Sequence, residues 1–392
     1  MRFGMDGGIV TTEIPQRVDV GIVGGGIIGL AVAHELAERG REVVILDDGA
    51  RPGNATHASA GMIAPVAEAD VELPGLCEFR QWSHQLYPEF VARVEERAGV
   101  DCSLRRDGTL LVALDRDHAA ELERLRDIMR DQGFEPQPLG VKDVLDMEPG
   151  LSARVVGGLL LEQDDHIDQR VFMQALRIAV ERGRGRVFDD VVVERVAPDG
   201  VVQGHHTRGD GRFELECEQV VVAAGSWSNV GLDSPGAELP LRPVRGQVVR
   251  LHAPALLRRV VRTPDVYMVP HAAGELVLGA SVEEQGFDAQ PTAGAVFDLL
   301  RHAWRALPGI YDLPLKEISV GFRPVSRDHL PVIGRLQGRV CVATGHFRNG
   351  ILLAPGTARL LGQLLCDAVQ HALLGHFEPQ RFAQPVEKTT NG

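Results

Sequence analysis

The chain is poor in the residues that usually announce a function. Aromatic side chains occupy 5% of its 392 positions, and only five residues are cysteine. Cys77, Cys102, Cys217, Cys341 and Cys366 are widely and irregularly spaced with no Cys-x-x-Cys pair, so neither a disulfide framework nor a zinc site is expected, and no metal site is read. Positive charge is in deficit. A formal net charge of -13 excludes a nucleic-acid footprint, and any anionic ligand must be met by a few locally placed arginines. Apolar runs are short: "VVVAAG" at 220–225 falls far below the ~18–20 residues of a membrane helix, and no basic, apolar leader opens the chain. The expectation is a cytoplasmic protein with no membrane association.

What is present is an apolar content of 44%, in a chain long enough for two domains. The first 17 residues show no sustained periodicity and read as a loose tail. From Val18 a strand to Val23, a helix from Ile27 to Arg39 and a strand "EVVIL" at 42–46 make a βαβ unit. Helix-favouring segments at 79–97 and 117–131 flank "LRRDGTLLVAL", which predicts a hairpin turning at Asp107 and Gly108. A helix capped by Asp168 leads to strands at 187–196, 201–206 and 212–223. Short strands between Leu239 and Gly321, with one amphipathic helix near 292–306, predict an antiparallel sheet. The chain then returns to a buried strand, "RVCVATG", and a final helix from Ile351 to His371.

The fold class expected is α/β, α+β overall. A Rossmann-like nucleotide-binding domain is assembled from the discontinuous segments 18–78, 140–238 and 322–375. A substrate domain on an antiparallel sheet comes from 79–139 and 239–321, and 376–392 form a C-terminal tail.

The strongest local signal is "GIVGGGIIG" at 21–29. Gly24, Gly26 and Gly29 follow a strand, open a helix and are answered about 20 residues later by Asp47 at the end of the next strand, which completes the dinucleotide fingerprint. Gly24 allows the tight turn, Gly26 lets a pyrophosphate touch the backbone, and Gly29 lets helix and strand approach. Asp47 would accept hydrogen bonds from an adenosine ribose, which leaves both NAD and FAD open. The later strands "VVVAAGSW" and "VCVATG" arrive only after long insertions, each ending in a glycine turn. A sheet assembled from distant pieces around one large ligand favours FAD.

Together with "ATHASAGMIAP" at 55–65, "AAGSWS" at 223–228, "GFRPVSRDHLPVIG" at 321–334 and "GHFRNGILLAP" at 345–355, these residues resemble the FAD-dependent amine oxidases of the D-amino-acid oxidase family, within it the glycine-oxidising branch of thiamine biosynthesis. The resemblance runs from Val18 to about Val369. It implies a non-covalent FAD with Ile27 and Ile28 near the pyrophosphate and Asp47 and Asp48 near the adenosine. Ala55, Thr56, Ala60, Gly61 and Met62 would run along the cofactor toward the flavin, Val193 would meet the adenine, and Gly225 belongs to the second glycine turn. His346, Phe347, Arg348, Asn349, Gly350, Ile351 and Leu352 would border the flavin ring.

For substrate, the resemblance implies that Arg323 binds a carboxylate, to which its planar fork is suited, and that Tyr267 closes the pocket. Arg348 stands between a substrate and a cofactor role. Pro355 is expected in the first turn of the final helix, so that the free N–H groups of about Gly350 to Leu353 face the ligand. The implied reaction converts glycine or a similar small amino acid (sarcosine, small D-amino acids) and O2 to the 2-oxo acid, ammonia and hydrogen peroxide. No histidine is assigned as a general base, and Cys341 is read as a packing residue. A D-amino-acid dehydrogenase feeding a quinone and a non-catalytic flavin-binding subunit of a dehydrogenase complex stay open as alternatives, as does a homo-oligomer.

Overall fold

The computed structural model describes residues 13–49, 51–68, 73, 75–209, 211–233, 238–253, 256–272 and 274–383. Its first sheet is built on five parallel strands in the spatial order Val340–Thr344, Arg212–Val222, Arg17–Val23, Val43–Leu46 and Gly185–Phe188. Such strands are covered on both faces, so they read as unbroken apolar runs such as "VVIL" and "VCVAT". Val332–Gln337 adds an antiparallel edge, and the strands Val191–Val196 and Val201–His206 extend antiparallel from the outer part of Arg212–Val222. The sheet therefore draws on three distant stretches of chain.

One face of this sheet carries the helices Ile27–Glu38, Leu76–Ala98, Gln169–Arg182 and Gly350–Gly362, packed through residues such as Ile22, Leu36, Ile45, Phe172 and Leu353. Each such side chain contributes ~1.5–3 kcal/mol by leaving water. The other face buries Val44, Leu46, Phe188, Val202 and Leu215.

The second sheet runs Leu315–Ser326, Leu241–His252, Glu275–Gly279, Tyr267–His271, Val260–Arg262, Thr109–Ala113, Gly157–Leu161 and Gln137–Leu139. All its pairings are antiparallel except that of Thr109–Ala113 with Val260–Arg262. The register sets Arg323 opposite Val244, Gly321 opposite Gly246, and Gly279 opposite both Val248 and Tyr267. Side chains alternate along a strand, so this register gives Arg323, Gly246, Gly279 and Tyr267 one common face. Helices Ala293–Ala306 and Val141–Met147 pack on a cluster formed by Val249, Leu251, Met268 and Leu278, which point the other way.

Several local expectations change. There is no hairpin at Asp107 and Gly108: Thr109–Ala113 pairs with Gly157–Leu161 and Val260–Arg262, and Arg105 bridges to His166 instead. Gly157–Leu161 thus joins the second sheet, whereas helix Leu76–Ala98 packs on the final helix over the first. The final helix ends at Gly362, where a wide turn, Gln363–Asp367, leads to a left-handed Ala368 at φ 53°.

Part of the expected C-terminal tail is packed. Phe377 is buried, its carbonyl accepts from the Ile333 N–H at 2.8 Å, and Arg381 pairs with Asp328 at 2.7 Å. The expected tail residues 1–12 and 384–392 lie outside the described residues. All five cysteines are free thiols, and no described helix is long and apolar enough to cross a membrane.

Candidate active site

A cavity of ≈ 420 Å³ lies where the two sheets meet, within the range of small-molecule sites. Every residue assigned above by name to the glycine turn, the cofactor or the substrate lines it, except Gly29 and Leu353. Gly29 sits beneath: a β-carbon there would stand 2.0 Å from the Gly24 carbonyl oxygen, so its role is the close approach of helix and strand. Gly24 has φ 110°, and a β-carbon on it would meet the Ala223 carbonyl at 2.5 Å.

Gly26 differs in kind. Its φ of -72° and ψ of -180° suit any residue, and a β-carbon would touch only Thr56 Oγ1, at 3.4 Å, so the lack of a side chain serves the cavity rather than the turn. Behind it the Ile27 N–H donates to Thr56 Oγ1 at 3.2 Å, whereas the Ile28 N–H has no partner among the described residues.

Asp47 accepts from the Gly25 and Gly49 N–H groups at 2.6 and 2.8 Å. Each carboxylate oxygen keeps a further lone pair for a hydroxyl donor. Asp48 also reaches the cavity, but its carboxylate is held by Arg51 at 2.5 Å, so it is less available than the sequence suggests. Val193 stands in the same cavity wall, on the strand whose Val191 N–H donates to Asp47 O at 3.0 Å. Gly225 turns at φ 55° with its carbonyl fixed by the hydroxyls of Thr344 and Ser228, at 2.9 and 2.8 Å.

The opposite end is bounded by the loop 54–62 and by the start of the last helix. Asn54 caps the short helix Ala55–Ala58, and Gly61, at φ 78°, turns the chain into Met62. On the other side, Phe347 adopts a left-handed φ of 49° and donates its N–H to Pro324 O at 2.9 Å. This reversal, with the bridge between Val325 and His346, ties the helix start to the strand that carries Arg323.

The helix begins at Gly350, so Pro355 lies in its second turn, not its first. The carbonyl orphaned by the proline ring, that of Ile351, instead accepts the Tyr87 hydroxyl at 2.5 Å, and Ser83 bridges Leu352 O and Gly356 N at 2.7 and 2.9 Å. Leu353 N–H is taken by Asn349 O, which leaves the N–H groups of Gly350, Ile351 and Leu352 without partners among the described residues. They form the positive end of the helix, in the cavity wall.

Arg323 and Tyr267 lie flat on the second sheet, and two strand glycines make room for them. A β-carbon at Gly246 would be 2.4 Å from Arg323 Nη1, and one at Gly279 would be 2.3 Å from the Tyr267 hydroxyl. The Arg323 guanidinium meets no carboxylate within ion-pair distance among the described residues; it donates to Ser281 O at 3.0 Å and Arg245 O at 3.4 Å. Burial, reinforced by Arg348, lowers its pKa against the opposing pull of Tyr267 and of the Glu68 carboxylate, which acts from beyond ion-pair distance. Burial raises the Tyr267 pKa and keeps the phenol a hydrogen-bond donor.

Arg348 is exposed and pairs with Glu68 at 3.4 Å, while Arg262 holds the other Glu68 oxygen at 2.8 Å. Burial would raise the Glu68 pKa, but Arg262, Arg348 and Arg80 outweigh it, and Glu68 is held as a carboxylate. His346 bonds Thr357 Oγ1 at 3.0 Å and is pushed by burial to about 3, hence neutral. Among the described residues no cluster is arranged to hold a metal.

The sequence reading missed Gly246, Gly279, Glu68 and Arg262. The two glycines carried a usable signal, since a glycine inside a strand marks a close approach. Glu68 and Arg262 carried none.

A cleft with a bare-backbone turn, an acidic ribose partner and a second helix mouth fits a dinucleotide with a flat redox ring. The space at Gly26, and the unpartnered N–H groups at Ile28 and at 350–352, suit its pyrophosphate and an electron-rich ring edge. A family model described as FAD dependent oxidoreductase (DAO) matches residues 19–364, and the chain belongs to that family.

Within it the chain is 32% identical to glycine oxidase of Geobacillus kaustophilus (strain HTA426) over 355 residues, 89% of this chain and 93% of that one. The crystal structure of glycine oxidase from the same species superposes with a TM-score of 0.85 at 31% identity, covering 94% of this chain and 99% of the other. The bifunctional protein ThiO/ThiG of Trichormus variabilis is 33% identical over 382 residues, 95% of this chain but 56% of that protein. The chain thus spans about half the length of these bifunctional relatives.

Proposed function

We propose that the chain is an amine oxidase that converts glycine or a similarly small amino acid, such as sarcosine or a small D-amino acid, with O2 and water to the 2-oxo acid, hydrogen peroxide and the freed amine, which is ammonia from a primary amino acid and methylamine from sarcosine. One observation carries this reading: Arg323, in the cavity wall beside Tyr267, has no carboxylate within ion-pair distance among the described residues. A guanidinium in such a setting calls for a carboxylate from the ligand. Similarity to glycine oxidases over about nine-tenths of both chains supports the same substrate class.

In this reading Gly26, Ile28 and the N–H groups of Gly350, Ile351 and Leu352 hold FAD, with Asp47 on its ribose. Bound FAD supplies the two-electron acceptor that water-exposed side chains cannot provide. The chain's own work is orientation. Arg323 takes the substrate carboxylate through its fork, and the neutral Tyr267 phenol donates a hydrogen bond to it, which fixes the Cα–H bond in space. Arg262 and Arg348 hold the Glu68 carboxyl below its ordinary pKa and burial pushes His346 to about 3, so both are weak bases and neither is set to take a proton from the substrate. The amine therefore enters in its neutral form from solution. Arg348 belongs to the mouth of the site, and a cytoplasmic location is part of the same reading.

The test is a peroxide-coupled screen of glycine, sarcosine, D-alanine and D-proline with FAD-saturated protein under air. Turnover with release of peroxide is expected for at least glycine or sarcosine. Absence of peroxide with all four would overturn the proposal.

A further inference from the structure

Arg250 is the largest fully buried side chain among the described residues, and nothing in the site described above uses it. Its Nη1 meets Glu275 at 2.5 Å, and Glu275 is also paired with Lys316 at 2.6 Å. The other arm of the guanidinium points at the loop 54–62: Nη2 donates to Ser59 O at 2.8 Å and His57 O at 3.3 Å. Gln169 Nε2 reaches the same Ser59 carbonyl at 2.6 Å. His271 Nε2 lies 3.1 Å from Ala60 O, and Ile167 N–H donates to Gly61 O at 2.9 Å. Three successive carbonyls are thus held from behind, two of them by side chains drawn from a helix and two strands.

In a trans peptide the C=O and N–H bonds point in opposite directions. The peptides of this loop are trans, since the cis bond among the described residues is Gly279–Ala280. Holding Ser59 O and Ala60 O on the sheet side therefore turns the N–H groups of Ala60 and Gly61 the other way, into the cavity that both residues line. Neither N–H has a partner among the described residues.

We infer that Arg250, Gln169 and His271 are positioning residues: by holding the Ser59 and Ala60 carbonyls outward they present the Ala60 and Gly61 N–H groups as preorganised donors to the electron-rich edge of the bound flavin. The inference rests on the FAD-binding reading above and extends it to groups that never touch the cofactor. A charged side chain is costly to bury, so packing alone does not explain Arg250 where an apolar residue of similar size would serve.

The test uses His271→Phe, Gln169→Leu and Arg250→Met, with His271→Gln as the conservative control because its amide can still donate to Ala60 O. Each apoprotein is titrated with FAD, and each reconstituted protein is equilibrated with reference dyes for its flavin reduction potential; melting temperature is followed in parallel. The donor-deleting variants are expected to bind FAD at least tenfold more weakly and to favour the reduced flavin about tenfold less, about 30 mV for a two-electron couple. His271→Gln stays within threefold of the parent. Should Arg250→Met fail to fold, the two single-donor variants decide. Parent-like FAD affinity and potential in both His271→Phe and Gln169→Leu, whatever their melting temperatures, would overturn the inference. A parent chain that binds no FAD at all would overturn both it and the underlying functional reading.

Discussion

The guanidinium of Arg323 lies over Gly246 on the neighbouring strand, so closely that a β-carbon there would stand 2.4 Å from Nη1 and 2.5 Å from Cζ. The strand glycine is thus part of the arginine's seat. Gly246→Ala has no strained φ to contend with and should fold, but it lifts the fork away from its position. A rise in KM for glycine of about tenfold or more, equivalent to ~1.4 kcal/mol, with FAD content unchanged, is the expected outcome of steady-state kinetics.

Arg323→Ala removes the fork itself. Leaving the substrate carboxylate without its partner in a closed site costs about 2–5 kcal/mol, so KM should climb by roughly one and a half to almost four orders of magnitude while the protein keeps its flavin. Arg323→Lys should recover only part of the loss, because an ammonium cannot make the bidentate contact. Unaltered glycine kinetics in the alanine variant would remove Arg323 from the site.

Gly26 and Gly24 of the first turn should separate in their effects. Gly26→Val, at a backbone conformation open to any residue, should leave the melting temperature near that of the parent apoprotein yet abolish FAD binding by filling the cavity. Gly24→Ala, at φ 110° and 2.5 Å from a backbone oxygen, should lower stability first, by ~1–3 kcal/mol. Thermal melts with and without FAD read both effects.

Tyr87 and Pro355 should be coupled. Tyr87→Phe strips the Ile351 carbonyl of its donor at a buried position, a cost of about 1–3 kcal/mol. In a Pro355→Ala background residue 355 regains an N–H for that same carbonyl, and the cost of Tyr87→Phe should fall by ~1 kcal/mol or more. A double-mutant cycle in urea measures the difference; strict additivity would show that the hydroxyl and the proline act separately.

The buried histidines should make stability pH-dependent. Burial depresses His34 and His166 to about 4 and His346 to about 3, all below the unfolded value of 6.5. Between these limits the unfolded chain binds the extra protons, so stability is full above pH 6.5 and is lost as pH falls toward 4. Asp164, raised by burial to about 7, opposes this with one proton bound in the folded chain. The balance is a loss on the order of 2–3 kcal/mol per pH unit between 6 and 5. His34→Gln should flatten that slope by about 1.4 kcal/mol per unit in urea titrations at the two pH values.

How far the sequence reaches depends on how local each cause is. The turn at 24–29, its acidic answer at Asp47 and the Asp168 cap are short-range geometry, and the helix and strand limits there agree within a residue or two. Strand pairing is not local. Thr109–Ala113 takes partners from 157–161 and 260–262, which nothing in "LRRDGTLLVAL" could reveal, and its glycine turn redirects the chain where a hairpin was expected. Pro355 was legible as a residue that needs accommodation, but the hydroxyl that accommodates it comes from Tyr87, on another helix. The pairing of Glu68 with Arg262 and Arg348 likewise exists only once both sheets are assembled.

The central claim is that the cavity joins a bound flavin to a small amino acid whose carboxylate faces Arg323. The most direct measurement is the visible spectrum of the FAD-reconstituted protein, taken before and after anaerobic addition of glycine. Oxidised flavin bands that bleach on glycine, and far more slowly in Arg323→Ala at the same concentration, are what the account predicts. Protein that takes up no FAD, or bands that glycine, sarcosine and D-alanine all leave unchanged, would contradict it.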